Sequence, residues 1–511
     1  MTTLPPAAES TTASRREVQL SFAGLMVALT LAALDQNIVS TALPRVVGDL
    51  GGMTHLSWVV TAFMLTSTAS TLLYGKLSDM YGRKPLFFVA ISIFVLGSML
   101  CGAAQTMTHL ILFRGLQGLG AGGLMVLAQT TVADLIPPRE RGKYQGLFGG
   151  VFATCSVAGP LLGGVITDAL SWRWIFFVNL PVGAVAMGLI GVGLRHRNRA
   201  VTHRIDYLGA GLITGGTTSL LLLLSWGGSL YAWLSPLMVT LAVMAGLLYT
   251  WLIFHERRAE EPVLPLRLFR NQVFVVSVSV MALTSMALFG SLVFMPLYFQ
   301  LVLGAAPSKA GLMMAPMMGG VIVSSVLGGR LISISGRYKI FPVCGLSLAT
   351  VAFFILAWVA AFHATPAMTV GMLVLLGFGL GFVMPNISVA LQNSVDPGDM
   401  GVATSALAFF RSLGGAVGVA ISGTIIAMEL RRLLPASFFE STMGGHSLLD
   451  RGVQYIAQLP TDQHDLVLGA FRHATATTFI AGGVIASLSL LTVCFLPEKP
   501  LRTKLSPPEE E

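Results

Sequence analysis

Apolar residues run along this chain in long, nearly unbroken blocks, and polar residues gather in the short gaps between them. A bilayer's hydrocarbon core is about 30 Å thick, so a crossing helix needs roughly 20 mostly apolar residues. Fourteen blocks reach that length: 19–43, 57–75, 86–105, 109–133, 142–168, 174–194, 206–226, 233–254, 272–301, 309–332, 340–361, 366–394, 400–428 and 475–496. Each predicts a membrane-spanning helix. The blocks at 272–301 and 366–394 exceed a straight crossing and contain Pro296 and Pro385, so tilt or a kink is expected there. No polar gap is long enough for a soluble domain, and the longest connector runs from Glu429 to Ala474. The first block is too long for a cleaved leader and carries an acid, Asp35, so it reads as a span.

Composition narrows the class. Of 511 residues, 54% are hydrophobic and 11% charged, with a mean hydropathy of +0.78. A soluble domain carries about 25% charged residues. The chain is therefore no cytosolic enzyme, disordered scaffold or disulfide-stapled module. Its 56 glycines suit closely packed membrane helices. Cys101, Cys155, Cys344 and Cys494 all fall in apolar blocks without CxxC spacing and read as small core residues, with no metal site.

The formal charge of +8 gains meaning from where it sits. If both termini lie inside, 22 of the 31 lysines and arginines fall in cytoplasmic segments and seven outside. The remaining two, Arg114 and Arg411, lie within spans. This bias predicts cytoplasmic termini and an outward-facing 429–474 connector. The basic surplus is a topology signal, not a nucleic-acid patch.

The chain also repeats itself. At an offset of 259, Gly118, Gly120, Gly122, Met125, Pro138, Gly142, Gly159 and Gly164 meet Gly377, Gly379, Gly381, Met384, Pro397, Gly401, Gly418 and Gly423. At an offset of 254, Gly75, Leu77, Gly82 and Arg83 meet Gly329, Leu331, Gly336 and Arg337. Such repeats predict a transporter of two like halves with a central site between them. The fold expected is all-α and integral to the membrane: a tail over 1–18, a six-helix half over 19–194, linkers and two additional central helices over 195–271, a second six-helix half over 272–496, and a tail over 497–511. The charged chemistry is not repeated. Asp79 meets Ser333, Arg114 meets Leu373, Asp134 meets Asn393, and Pro160 meets Val419.

Asp35 is the one acid deep in a span, and an intramembrane carboxylate marks a functional site by default. Counting residues from the outer span ends puts Asp35 about 13 Å and Arg114 about 8 Å deep, so the two can pair if spans 1 and 4 are neighbours. Burial favours the protonated acid, and a guanidinium beside it favours the carboxylate. A motion that changes their separation would then bind and release a proton. Between spans 2 and 3, Gly75-Lys76-Leu77-Ser78-Asp79-Met80-Tyr81-Gly82-Arg83-Lys84-Pro85 forms a tight turn, where Asp79 can accept from a helix N-terminus or pair with Arg83. Gly159, Pro160, Gly163 and Gly164 in span 5 allow a kink or close helix packing.

Gly118, Gly120 and Gly123 form a GxGxxG with no strand before it and read as a packing face, not a dinucleotide loop. His255-Glu256 lacks a zinc site's second histidine, and no Walker A pattern occurs. Arg411 has no obvious deep acid partner and could meet an anionic substrate group or backbone carbonyls. Gln129, Phe152, Phe289, Asn386 and Phe410 could line a central cavity or simply pack.

Together these features resemble the major facilitator superfamily, and within it the fourteen-helix drug:proton antiporters of the EmrB/QacA type. The likeness is carried by Leu34-Asp35-Gln36-Asn37-Ile38-Val39-Ser40-Thr41-Ala42-Leu43-Pro44, by Gly75 to Pro85 and by Leu112-Phe113-Arg114-Gly115-Leu116-Gln117-Gly118. Gly159-Pro160 to Gly164 and Trp172-Arg173-Trp174-Ile175-Phe176-Phe177-Val178-Asn179-Leu180-Pro181 extend it. The resemblance implies a secondary efflux transporter, not an enzyme. It would export hydrophobic small molecules or drugs, antibiotics included, against protons, with the gradient as energy source and no cofactor. Asp35 and Arg114 would couple protons. Gly75, Asp79, Gly82, Arg83, Lys84 and Asp134 would gate the conformational switch. It implies a bacterial cytoplasmic membrane and, for the outward connector, a periplasmic adaptor as a conceivable partner. The acids that some relatives carry in spans 2 and 13 for cationic drugs are missing: span 2 offers Trp58, Thr61 and Thr66, and span 13 offers Arg411. Neutral, weakly acidic or monocationic cargo fits better. An exporter of one metabolite, an importer, and a membrane enzyme or receptor are the alternatives; the span 5 motif disfavours import, and no catalytic constellation or signalling domain is found.

Overall fold

The computed structural model describes residues 15–50, 56–194, 206–228, 231–305, 307–362, 365–435 and 460–501. The first half contains α1 (Arg15–Leu50), α2 (Leu56–Tyr81), α3 (Arg83–Gly102), α4 (Met107–Leu135), α5 (Pro138–Ala169), α6 (Trp174–Phe177) and α7 (Asn179–Gly193). Two further helices follow, α8 (Tyr207–Trp226) and α9 (Pro236–Glu256). The second half contains α10 (Gln272–Leu292), α11 (Met295–Leu301), α12 (Pro307–Ser335), α13 (Ile340–Ala361), α14 (Pro366–Ser394), α15 (Met400–Leu433) and α16 (Thr461–Cys494).

Local chemistry sets the helix starts. Thr106, Asp206, Asn271 and Thr365 each accept a backbone N–H of the first turn, and proline opens α9 and α14, where no N–H is needed. The sixth predicted block is broken at Val178 and the ninth just before Pro296, so α6 with α7, and α10 with α11, each make one crossing. Pro385 leaves α14 a single helix.

Thirteen crossings among the described residues are long and apolar enough for a bilayer. Helix α2 is not among them: it has 26 residues but is rich in hydroxyls. Those hydroxyls are satisfied internally: Thr66 Oγ1 donates to the Ala62 carbonyl at 2.9 Å, Thr71 Oγ1 to Ser67 at 2.7 Å, and Ser70 Oγ to Leu119 of α4 at 3.1 Å.

Two expectations need correction. Both ends of the connector predicted over 429–474 are helical, because α15 continues to Leu433 and α16 begins at Thr461. Val467, Ala470, Phe471 and Ala474 bury against Ile426, Leu430 and Leu434, which gives that segment an apolar reason to fold. Residues 436–459 of the connector lie outside the described residues. Of the cysteines, Cys101 and Cys155 are core residues as expected, but Cys344 and Cys494 are exposed on outward helix faces.

The sequence repeat reappears as a packing repeat. In the first half α2 packs on α4, α1 on α5 and α7, and α3 on α4; in the second, α12 packs on α14, α10 on α15 and α16, and α13 on α14. The halves meet along two seams that are themselves equivalent, α5 against α12 and α15 against α2. Helix α9 packs on α8, and α8 lies against both α2 and α15.

Repeat-matched glycines make the seams possible. A Cβ on Gly329 would lie 2.1 Å from the Gly142 carbonyl, and one on Gly401 would lie 2.4 Å from the Gly75 carbonyl. Any side chain at these crossings would separate the backbones. Both crossings lie at one end of the bundle, the basic face that carries the α2–α3 turn. A continuous apolar cluster joins Leu72 and Ala133 of the first half to Val402, Ala403 and Leu407 of the second.

Gly329→Val should force the α5–α12 seam apart. Cross-linking between Arg139→Cys and Ile334→Cys, in a chain freed of its four native cysteines, should then fall severalfold. Gly311→Val on the same helix, where a side chain meets open space, should leave the yield unchanged.

Candidate functional site

Two polar constellations and one isolated cation interrupt the apolar interior. The first lies at the basic face. Gly82 ends α2 with φ of +86°, a conformation that favours glycine, and the turn brings Arg83 back beside Asp79. Arg83 bridges two acids, with Nη2 2.7 Å from Asp79 Oδ1 and Nε 2.8 Å from Asp134 Oδ2, and it also donates to Ser78 Oγ. The Asp79 carboxylate does two jobs at once. Besides pairing with Arg83, it accepts the backbone N–H groups of Gly401 and Val402, both at 2.9 Å. Those amides are the N-terminus of α15, in the opposite half, where the helix dipole favours an anion. Lys84 works within its own half, donating to the Gly191 carbonyl at the end of α7 at 2.6 Å.

The other seam uses different chemistry. Arg139 donates to the carbonyls of Ser333 and Ile334 at the C-terminus of α12, and Arg141 to that of Gln392 in α14. Cations here meet helix C-termini. This accounts for the unmatched pair of the repeat: the position equivalent to Asp79 is Ser333, whose backbone, not its side chain, makes the crossing contact.

The second constellation lies in the far half of the bundle, about 10 Å from the start of α4 by helix rise. Asp35 is 0% exposed and Arg114 2%. Arg114 Nη1 lies 2.6 Å from Asp35 Oδ2, so spans 1 and 4 are neighbours and the pair forms. The other carboxylate oxygen, Oδ1, accepts from Gln117 Nε2 at 2.8 Å and Asn179 Nδ2 at 2.9 Å. Asn179 also donates to Ser98 Oγ, which donates to the Phe176 carbonyl. The guanidinium stacks over the Phe63 ring at 4.1 Å and donates to Gln117 Oε1 and the Val59 carbonyl. Gln117, Asn179 and Ser98 were not singled out from the sequence. Gln117 and Asn179 stood inside segments that carry the family resemblance, and Gln117 also follows Arg114 by three residues and so shares its helix face.

The glycines of span 5 reach this site. A Cβ on Gly159 would sit 2.7 Å from Asn37 Cβ, two residues from Asp35, so α5 presses directly on α1. Pro160 lies inside the continuous α5, Gly163 is buried, and Gly164 faces open space. The GxGxxG glycines pack, Gly118 against α2, Gly120 against α3 and Gly123 against the Tyr74 ring, and Gly122 beside them also meets α2.

The remaining candidates are spread over α4, α5, α10, α14 and α15. Asn386 is fully buried, donates to its own helix at Phe382, and packs against Gly328. The Gln129 carbonyl accepts from Gln392 Nε2 at 3.5 Å across the seam. Phe152 packs on the first-half core, and Phe410 stands edge-on to Phe409. Phe289 is 44% exposed and lies beside Gly415. Arg411 Nη2 reaches Met125 Sδ of the opposite half at 2.8 Å.

The sequence model of the Major Facilitator Superfamily matches residues 25–419. The chain belongs to this superfamily. It is 37% identical over 441 residues to the multidrug transporter protein MdtP of Bacillus subtilis (strain 168), covering 86% of this chain and 79% of that protein. It is 36% identical over 481 residues to an uncharacterized MFS-type transporter of Mycobacterium tuberculosis (strain ATCC 25618 / H37Rv), covering 94% and 69%. Its fold is similar to the proton:xylose symporter XylE, with a TM-score of 0.65 at 14% identity, covering 95% of this chain and 98% of that one. As a major facilitator, this chain is a multi-pass membrane transporter with efflux pumps among its relatives, and not an enzyme.

Hydrogen bonds to a charged group contribute about 1.5–3 kcal/mol each. Asp79→Ala removes two across the α2–α15 seam together with the Arg83 ion pair. The closed basic face should lose at least tenfold in population, seen as a longer distance between spin labels at Lys143 and Arg330. At the buried carboxylate, Asn179→Leu deletes one donor to Asp35 Oδ1 and leaves a buried acceptor short of a partner, so the purified chain should unfold at a lower temperature than the unaltered one, measured by thermal melting.

Proposed function

We propose that this transporter is a proton-driven exporter of hydrophobic small molecules, of the fourteen-helix kind, set in a cytoplasmic membrane with both termini inside. The observation that carries the reading is the carboxylate of Asp35, fully buried and held by Arg114, Gln117 and Asn179 on two other helices. An ion pair at that depth is neutral as a unit. It takes up a proton only when the guanidinium moves away, and it expels the proton when the two re-pair. Protonation is thereby tied to the relative position of α1 and α4.

The basic face is the cytoplasmic face in this reading, in keeping with the excess of lysine and arginine there. The seams at the two glycine crossings are then closed inward. Asp35 takes its proton from outside while the far face is open, and cargo leaves the central space at that stage. Rocking of the halves releases Asp79 from the α15 N-terminus, opens the inner face, and lets cargo enter from the cytoplasm or inner leaflet. Re-pairing of Asp35 with Arg114 sends the proton inward. The proton gradient supplies the energy, and no cofactor takes part. Relatives described as a multidrug transporter and as efflux pumps support the direction of transport.

Proton flux in proteoliposomes holding a pH gradient tests this. A panel of hydrophobic compounds is added to the unaltered chain and to Asp35→Asn, which keeps the side-chain size. Antiport predicts compound-dependent proton release with the former and a loss of at least tenfold with the latter. Equal release from both removes Asp35 from the coupling scheme. No response to any compound favours a dedicated exporter of a single metabolite.

A further inference from the structure

Arg411 is the second cation at membrane depth, and its surroundings differ from those of Arg114. It stands ten residues from Gly401, about 15 Å along the α15 axis from the basic face. Helix α15 packs against α2 and α4 of the opposite half, so the guanidinium lies in the seam between the halves. Among the described residues its one polar contact is the Met125 thioether of α4, a weak acceptor, against five N–H donors.

No acid on the surrounding helices serves it. Asp79 is held by Arg83 and the α15 amides, and Asp134 by Arg83. Asp35 is held by Arg114. Glu429, Asp462 and Asp465 belong to the far ends of α15 and α16, with Glu429 about 27 Å along the axis from Arg411. His255 and Asp206 pair with each other at the ends of α9 and α8. An arginine at this depth without a counter-charge is expensive to retain, and such residues line substrate or ion paths. One turn further along α15, Gly415 admits the exposed ring of Phe289, so an apolar surface adjoins the cation.

We propose that Arg411 is an anion-binding subsite for the cargo: a carboxylate, or a similar two-oxygen anion, docks on its planar guanidinium while the apolar body of the same molecule lies against Met125 and Phe289. The fork of N–H groups suits two parallel bonds to one carboxylate, and a polarizable thioether with an aromatic ring tolerates varied hydrophobic shapes. Cargo selection would then rest on a shared acidic group more than on a shared skeleton. This deepens the exporter reading and rests on it for the fate of the bound molecule.

The test is equilibrium binding to the full chain in detergent, with no gradient present. The probes are matched pairs of an aryl or alkyl carboxylic acid and its neutral amide, beginning with 1-naphthylacetate and 1-naphthylacetamide, followed by biphenyl and long-chain pairs. The readout is the acid-to-amide preference. It should be tenfold or more with the unaltered chain, near one with Arg411→Gln, and intermediate with Arg411→Lys. Should Arg411→Gln fail to fold, Met125→Glu supplies an internal carboxylate to the same guanidinium and should abolish the preference. An unaltered chain without acid preference in any pair, whether both probes bind or neither does, overturns the proposal. So does a preference that survives both Arg411→Gln and Met125→Glu. Acid preference without proton release would leave the subsite standing and sink the coupling scheme. Proton release by neutral compounds alone would do the reverse.

Discussion

Backbone-to-backbone approach at the two glycine crossings is the constraint on which the basic face depends. Gly75 with Gly401, and Gly142 with Gly329, bring helices of opposite halves closer than any Cβ would permit. Only at that separation can the Asp79 carboxylate reach the first amides of α15, and only there do Arg139 and Arg141 reach the carbonyls ending α12 and α14. Each partner at these crossings is a helix terminus whose backbone groups would otherwise go unsatisfied. These polar contacts lie beside a continuous apolar cluster that joins Leu72 and Ala133 to Val402, Ala403 and Leu407.

Asp79, Asp35 and Arg411 meet three different surroundings. Asp79 shares an arginine of its own half and a helix N-terminus of the other half, so it ties the two halves together. Asp35 is neutralised wholly inside the first half, by donors on α4 and α7, so its environment changes only if those helices shift against α1. Gly159 ties the two together: α5 touches α1 beside Asp35 and also forms the α12 seam. One continuous helix thus touches both the seam and the residue two positions from the buried carboxylate. Arg411 is the third case, a cation between the halves with a thioether where a carboxylate would be expected.

Much of this was legible in the chain itself. The length of apolar blocks gave the crossings, because a bilayer imposes one length on every helix. The 259- and 254-residue repeats foretold equivalent halves, and the same glycines that matched in sequence turned out to face each other across the seams. The rarity of charge at depth pointed to Asp35, Arg114 and Arg411, since hydrocarbon admits an ionisable group only for a reason. The α2–α3 turn announced itself through Gly82, whose positive φ suits glycine, and through an acid and a base four residues apart.

The rest depended on which faces meet. Neutral amides such as Gln117 and Asn179 carry no signal of their own, because an uncharged side chain in a helix is as often packing as chemistry. Their role appeared once α4 and α7 were placed around α1. The helical start of α16 was hidden in a polar-looking connector, because its apolar stripe has meaning only against the end of α15. Asn386 could line a cavity or pack as far as the sequence goes, and it is buried in the α12–α14 contact. The sequence by itself determined the solvent this chain lives in, the order of its apolar blocks, its internal repeat and the identity of its costly charges, since all of these follow from composition and period along one dimension. Tertiary structure alone decided which charges are paired, which glycines cross, and which cation is left without an acid, because those are distances between helices that sequence spacing does not fix.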